Sequence, residues 1–438
     1  MFARVAAFAA CLAMLALPAH ADGPLTLDDA MARVVAHHPD LRAFAPLRDV
    51  REAERVAAAL PPPLLAGVSL ENVAGSGDAR LLTGMELTLS LASVLERDGK
   101  RDARAALASQ RIDALARRRE AMRLDLLAET ARRYLDVVHA RELLAVARAD
   151  VAQRQRAVEG ARRRMQAGAS PESELLAAEA AHARARLLLA GTSLHAEAAA
   201  RHLAALWGVD GDDGVGATDA TPVLEVAAAD PRVLPAIPDL PALATLLAGI
   251  PDLAQFADEQ RIREARLQLM RTAQTPDITW QVGVRRLEAS DDVALVGSLS
   301  MPLGARRYAA PGIDAARAEL VALGIEREAR GQALHGTLIE AHGRYGAARA
   351  EVLGLQQEVL PLLARAERAA ERAYRAGAIS YLEWAQLQAE QVQVARQQLE
   401  VARDAQRALI EIQRLTGDAF VLGTAPQATT NAPQGDAR

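Results

Sequence analysis

Two stretches of strict alternation, each followed by a long stretch without it, set the plan of this chain. Over 64–72, Leu64, Ala66, Val68 and Leu70 fall on one side and Gly67, Ser69 and Glu71 on the other. Over 84–92, Met85, Leu87, Leu89 and Leu91 oppose Glu86, Thr88 and Ser90. Gly75-Ser76-Gly77-Asp78 between them reads as a turn, so the pair is predicted to form a β-hairpin. A second hairpin is predicted at 277–286 and 293–301. There Ile278, Trp280, Val282 and Val284 alternate with Thr279, Gln281 and Gly283, and Val293, Leu295, Leu299 and Met301 with Ser298 and Ser300. Strands of about ten residues with one apolar and one polar face suit a membrane barrel. They also suit a soluble amphipathic hairpin resting on a helical layer.

Elsewhere the apolar period lengthens. Leu124, Ala131, Val138, Ala145 and Ala152 recur every seventh residue, as do Leu387, Val394, Val401, Ala408 and Leu415. A step of seven marks a left-handed coiled-coil seam, and alanine in it lets helices approach closely. Long helices are predicted over 98–166 and 171–206, and again over 311–376 and 380–416. The first holds no proline from 100 to 166, so as one helix it would be about 100 Å long. Pro361 should kink its counterpart. A shorter helical segment, 26–59, is interrupted by Pro39 and stopped by Pro61-Pro62-Pro63.

The order helix, hairpin, long helix pair occurs twice, and landmarks recur about 210 residues apart. His38-Pro39-Asp40-Leu41 returns as Ile250-Pro251-Asp252-Leu253, and Leu206-Trp207-Gly208 as Leu415-Thr416-Gly417. Arg164-Met165-Gln166-Ala167-Gly168 returns loosely as Ala373-Tyr374-Arg375-Ala376-Gly377. The chain therefore divides into a first repeat (22–208), a linker rich in Gly, Asp, Pro and Thr (209–238), a second repeat (239–418), and a polar tail (419–438) expected to be disordered.

Composition narrows the class. Aromatics are only 3% although hydrophobic residues reach 51%, which argues for long helices over layered α/β cores. A net charge of -5 gives no electrostatic case for nucleic acid. Residues 1–21 read as a secretory signal: Arg4, an apolar run over 5–17, then Ala19-His20-Ala21 as the cleavage site. Cys11, the sole cysteine, lies inside it, so the mature chain would have no thiol or disulfide. Lipidation there would need a lipobox, and Phe8-Ala9-Ala10-Cys11 is a poor one. No later run of about 18 apolar residues is evident. If the hairpins are membrane strands, four per chain cannot close a barrel, because open edges leave backbone groups unpaired in hydrocarbon. Two chains would give eight strands and a filled interior, and three would give twelve with room for a lumen.

Two stretches carry a family likeness. Glu86-Leu87-Thr88-Leu89-Ser90 through Leu95-Glu96-x-x-Gly99-Lys100-Arg101, and Ala376-Gly377-Ala378-Ile379-Ser380-Tyr381-Leu382-Glu383, resemble TolC-like outer-membrane efflux proteins of the CzcC-type heavy-metal branch. The resemblance covers essentially the whole mature chain. It implies a mainly α, internally duplicated fold: a homotrimer with a 12-stranded β-barrel in the Gram-negative outer membrane and a coiled-coil tunnel in the periplasm. It also implies a periplasmic adaptor (membrane fusion protein) and an inner-membrane RND pump as partners, with the chain as passive exit duct. Drugs, solvents or secreted protein are alternative cargoes. A periplasmic coiled-coil scaffold is the alternative of another class.

No enzyme motif, cofactor-binding fingerprint or metal-ligand spacing appears. His195 and His202, like His335 and His342, are seven apart, about 10 Å along a helix and too far for one ion. The candidates lie at the helix-to-helix turns. Gly168 and Gly377 suit C-terminal caps, Ser170 and Ser380 N-caps, and Pro171 a first helical position. Gly168, Ser170, Arg375, Gly377, Ser380 and Leu382 are candidate adaptor contacts. Glu172, Glu174 and Glu383, repeated threefold in a trimer, are candidates for an acidic ring that tunes gating or cation passage. As a simpler reading they are helix N-terminal acids favoured by the dipole.

Overall fold

A computed structural model describes residues 24–73, 75–77, 82–208 and 225–422. The expected signal segment, Cys11, the first part of the linker and nearly all of the tail lie outside the described residues.

The first repeat contributes α1 (Leu27–His37), α2 (Pro39–Arg42), α3 (Phe44–Ala58), β1 (Leu65–Glu71), β2 (Glu86–Leu95), α4 (Lys100–Gln166) and α5 (Glu172–Ala204). The second contributes α6 (Leu240–Leu246), α7 (Pro251–Thr272), β3 (Ile278–Leu287), β4 (Asp292–Ser300), α8 (Ala305–Gly354), α9 (Leu360–Arg375) and α10 (Tyr381–Thr416). The four strands make one antiparallel sheet in the order β1-β2-β3-β4, so the two repeats meet at β2–β3, and among the described residues the outer edges of β1 and β4 have no strand beside them.

Register sorts the faces. Val68, Leu89, Val284 and Leu295 stand opposite one another across all four strands and are 49–85% exposed. The other face carries Ser69, Thr88 and Arg285, where Arg285 donates to Thr88 Oγ1 (3.0 Å) and pairs with Glu86 (2.6 Å). Ser69, Thr88, Arg285 and Ser298, one from each strand, line a single small cavity, so the polar face is concave. Gly67 and Gly283 flank Ser90 in one row. A Cβ at Gly283 would sit 2.7 Å from the Leu89 carbonyl oxygen, so close approach there requires glycine.

The helices continue the sheet's order. α3 packs on α4, α4 on α7 and α7 on α8. At each strand-to-helix junction a glycine takes the left-handed conformation: Gly99 (φ 67°) before α4 and Gly304 (φ 80°) before α8. The first junction is tied to the second repeat by Lys100, which donates to the Thr275 carbonyl (2.7 Å) and pairs with Asp277 (2.6 Å). Arg104 pairs with Glu96 and holds its carboxyl below the usual range.

Three differences from expectation have physical causes. The helix expected over 311–376 begins six residues earlier, at Ala305, with Pro311 inside it. Gly304 starts the helix, and the turn before Pro311 forms without the proline's missing N–H. Pro361 does not simply bend a continuous helix. A π-turn at Leu355–Val359 separates α8 from α9 and places Pro361 in the first turn of α9, where no N–H is needed. Phe420 and Leu422, counted in the tail, pack on the core of α1 and α4. One stretch, 240–272, contains a window apolar enough to cross a membrane. It is interrupted at Leu247–Gly249 and Ile250, and Leu243 and Leu247 are buried against α8 and α10.

Candidate functional site

The sequence-predicted residues converge at the far ends of the helix pairs, where α4 turns into α5 and α9 into α10. Both turns are Schellman motifs. At the first, Gly168 (φ 65°) donates to the Met165 carbonyl (3.0 Å) and Ala169 to that of Arg164 (2.9 Å). At the second, Gly377 (φ 81°) donates to Tyr374 (3.0 Å) and Ala378 to Ala373 (2.9 Å). Positive φ is what requires glycine at both positions.

The starts of the following helices differ. Ser380 Oγ accepts from the Glu383 amide (3.3 Å), and Glu383 Oε2 accepts from the Ser380 amide (2.8 Å), a complete capping box. Ser170 does not cap α5. Pro171 occupies the cap position in an extended conformation, so Ser170 lies one residue too early to reach the free amides. Its hydroxyl is buried without a hydrogen-bond partner among the described residues.

One side chain joins the two turns. Arg164, in the last turn of α4, donates to the Tyr374 carbonyl (2.8 Å) and to that of Ala169 (3.3 Å). Its guanidinium lies 4.9 Å from the Tyr374 ring centroid, a cation–π distance. Below it, Tyr374 stacks on Trp384 at 5.1 Å and meets Tyr381 edge-on at 6.1 Å. Glu367 accepts from Trp384 Nε1 (3.1 Å) and Gln153 Nε2 (3.0 Å), so a buried carboxylate ties α4, α9 and α10 together. The first hairpin contributes Ala157, Val158, Ala161, Leu175 and Ala178 to the same core, with Met165 partly buried against it, and no aromatic ring. Sequence reasoning missed Arg164, Glu367 and the aromatic trio. The available signal was three aromatics within 374–384 of a chain that has few.

The candidate acids do not share one environment. Glu172 is exposed at the start of α5. Glu174 is half-buried beside Tyr374, whose hydroxyl is pushed up by burial and further by that carboxylate. Glu383 is engaged in its cap. Arg375 pairs with Glu371 (2.5 Å) and projects outward, as does Leu382, which is 65% exposed. Beside the joined turns lies a groove of about 720 Å³, bounded by Arg156, Arg163 and Arg164 on α4 and by Glu371 and Arg375 on α9. Among the described residues, no three His, Cys, Asp or Glu side chains gather as a metal site would need.

Known proteins resemble this arrangement. Residues 31–209 match the outer membrane efflux protein family. Over 362 residues the chain is 28% identical to the cobalt-zinc-cadmium resistance protein CzcC of Cupriavidus metallidurans, covering 81% of this chain and 80% of that one. Among solved structures, CusC superposes with a TM-score of 0.71 at 17% identity, over 90% of this chain and 92% of that one. The outer membrane protein VceC of Vibrio cholerae gives 0.69 at 17% identity, over 90% and 97%. The first repeat thus carries the match to the outer membrane efflux protein family, and the whole sheet and its long helices share the fold of the solved outer-membrane channels.

Proposed function

We propose that three copies of this chain form the passive exit duct of a tripartite exporter of heavy-metal cations. The barrel stands in the outer membrane and the helices reach into the periplasm. The sheet carries this reading: one face is apolar and exposed across four strands, the other is polar and concave, and both edges are open. Such a sheet is satisfied in a bilayer only by closing on copies of itself, and three copies give twelve strands. The edge helices agree. α3 has no buried residue and exposes Val50 and Val56, and α8 exposes Val321 and Ile325.

The similarity to CzcC, a cobalt-zinc-cadmium resistance protein, supports metal cations as cargo. The joined turns are the end that a periplasmic adaptor meets, through Gly168, Ser170, Arg375, Gly377, Ser380 and Leu382, and the adaptor links the duct to an inner-membrane RND pump. Glu172, Glu174 and Glu383 ring the same end and tune its opening. Deleting the gene should sensitise the host to zinc, cobalt or cadmium, and plasmid-borne wild type should restore tolerance. Unchanged metal tolerance with new sensitivity to organic solvents or drugs would keep the duct and replace the cargo. Replacing Gly377 with a bulky residue should abolish export while the trimer still assembles. Loss of the trimer would assign Gly377 to the turn alone.

A further inference from the structure

The concave side of the helical layer is a second chemical environment, separate from the turns. α3, α4, α7 and α8 all line one cavity of about 1,070 Å³. A layer whose outermost helices both reach the same cavity is curved around it, so this is the side that faces the duct's axis.

Its charges do not cancel. Every carboxylate on this wall has an arginine within ion-pair distance. Glu259 pairs with Arg263 (3.1 Å), Glu319 with Arg266 (2.8 Å) and Asp252 with Arg330 (2.7 Å). Glu326 shares Arg263 (3.9 Å), and Asp258 is held by Arg117 and Arg261. Arg111 and Arg118 are left over. Both line the cavity and are exposed, and neither has a hydrogen bond, ion pair or ring contact among the described residues. They are seven apart on α4, so they share a face about 10 Å apart along the axis. That spacing is comparable with the screening length of about 8 Å at physiological ionic strength, so their fields overlap. A neighbouring copy does not supply the missing acids, because α4 is an inner helix flanked by α3 and α7.

We infer that Arg111 and Arg118 form an anion-binding belt on the wall of the upper tunnel. The inference rests on the duct reading, since a trimer would set six unpaired guanidiniums around one lumen. With its five carboxylates each held by an arginine, the wall keeps a local positive excess at Arg111 and Arg118, and such an excess concentrates anions; guanidinium binds sulfonate, carboxylate and phosphate oxygens in pairs. At this level a bare divalent cation is repelled, and a cation accompanied by anionic ligands is favoured. The belt therefore discriminates by the net charge of the travelling species.

The test is binding of pyrenetrisulfonate, a fluorescent trianion, to the full-length detergent-purified protein at low salt, read by anisotropy. The wild type should bind it. The double variant Arg111→Gln/Arg118→Gln should bind about tenfold more weakly or not at all. Arg201→Gln, on α5 outside this layer, should match the wild type. In planar bilayers the double variant should also shift the reversal potential toward cations. Equal binding by wild type and double variant, or an equal loss in Arg201→Gln, would overturn the belt. Wild type that conducts with no difference in the double variant would overturn the belt and leave the duct. Binding that depends on Arg111 and Arg118 in a protein that never conducts would keep the belt and overturn the duct.

Discussion

The two helix hairpins follow the same order of elements yet are held in different ways. The first runs from an unbroken 67-residue α4 into α5, with alanine and valine at its end and an uncapped start after Pro171. The second is interrupted by the π-turn at Leu355–Val359 and then fastened by three packed aromatics, a buried Glu367 and a complete capping box. Arg164 reaches from the first onto the backbone of the second. The difference teaches that one hairpin is a continuous strut and the other a stiff end on a weaker joint. A π-turn puts a backbone irregularity inside an otherwise regular rod. If the tunnel end opens by moving one hairpin, the one beyond the joint moves, and Arg164 is the contact it must release.

Substitutions can break this contrast, and the largest effect should come from the aromatic trio. Trp384→Ala removes the ring stacked on Tyr374 and leaves Glu367 with one donor fewer. It should cost about 3–5 kcal/mol, read as lost protection from proteolysis around 367–388. Val158→Ala on the first hairpin removes less and should cost about 1–2 kcal/mol. Equal losses would erase the asymmetry.

Gly168→Val and Gly377→Val both force a branched side chain into positive φ, at about 1–2 kcal/mol each. Only at Gly377 does another group lie near the Cβ position, the Arg164 guanidinium at 3.8 Å, which the Cβ meets at ordinary contact and the valine methyls would press. The effect of Gly377→Val on thermal unfolding should therefore be the larger of the two.

The serines sharpen the comparison further. Ser380→Ala removes a cap and should cost about 1 kcal/mol. Ser170→Ala removes a hydroxyl with no partner and should be neutral or slightly stabilising. Matching losses in thermal unfolding would mean that Ser170 caps after all. In Pro361→Ala the constraint that accompanies the π-turn is gone, so amide exchange over 355–361 should slow toward that of α4.

The smallest effect is a pH dependence on the contact between α4 and α10. His139 is buried and burial pushes its pKa below the ordinary value of 6.5, against the pull of Glu400 (3.5 Å) and with Arg403 adding to the depression, while Asp136 opposes it. The unfolded chain therefore takes up this proton first. Stability is full above the unfolded pKa and declines as pH falls from there toward the folded value. Thermal unfolding should drop as the pH falls below the ordinary histidine value of 6.5, and His139→Gln should flatten that drop.

Much of this was legible in the chain. Alternation located all four strands because each has one polar and one apolar face; the seven-residue step located the helices but not all of their contacts, since Ala145 and Ala152 are exposed while Ala147, Ala157 and Ala161 are buried. Other features depend on partners far away in sequence. Nothing near Pro311 says that Gly304 has already started the helix, although Gly99 before α4 is its counterpart. Arg164 reads as one of three consecutive arginines until Tyr374 is placed beside it. Arg111 and Arg118 read as an ordinary wet helix face. Their significance lies in the acids on α7 and α8 being taken by other arginines, which only tertiary packing decides.

The most direct test of the central claim is the mass of the full-length protein purified in detergent, measured by native mass spectrometry together with its conductance in a planar bilayer. Three chains per particle and an ion-conducting pore are the results expected of a twelve-stranded duct. A monomer that stays soluble without detergent and conducts nothing would contradict it, and would leave the four-stranded sheet as the surface of a periplasmic scaffold.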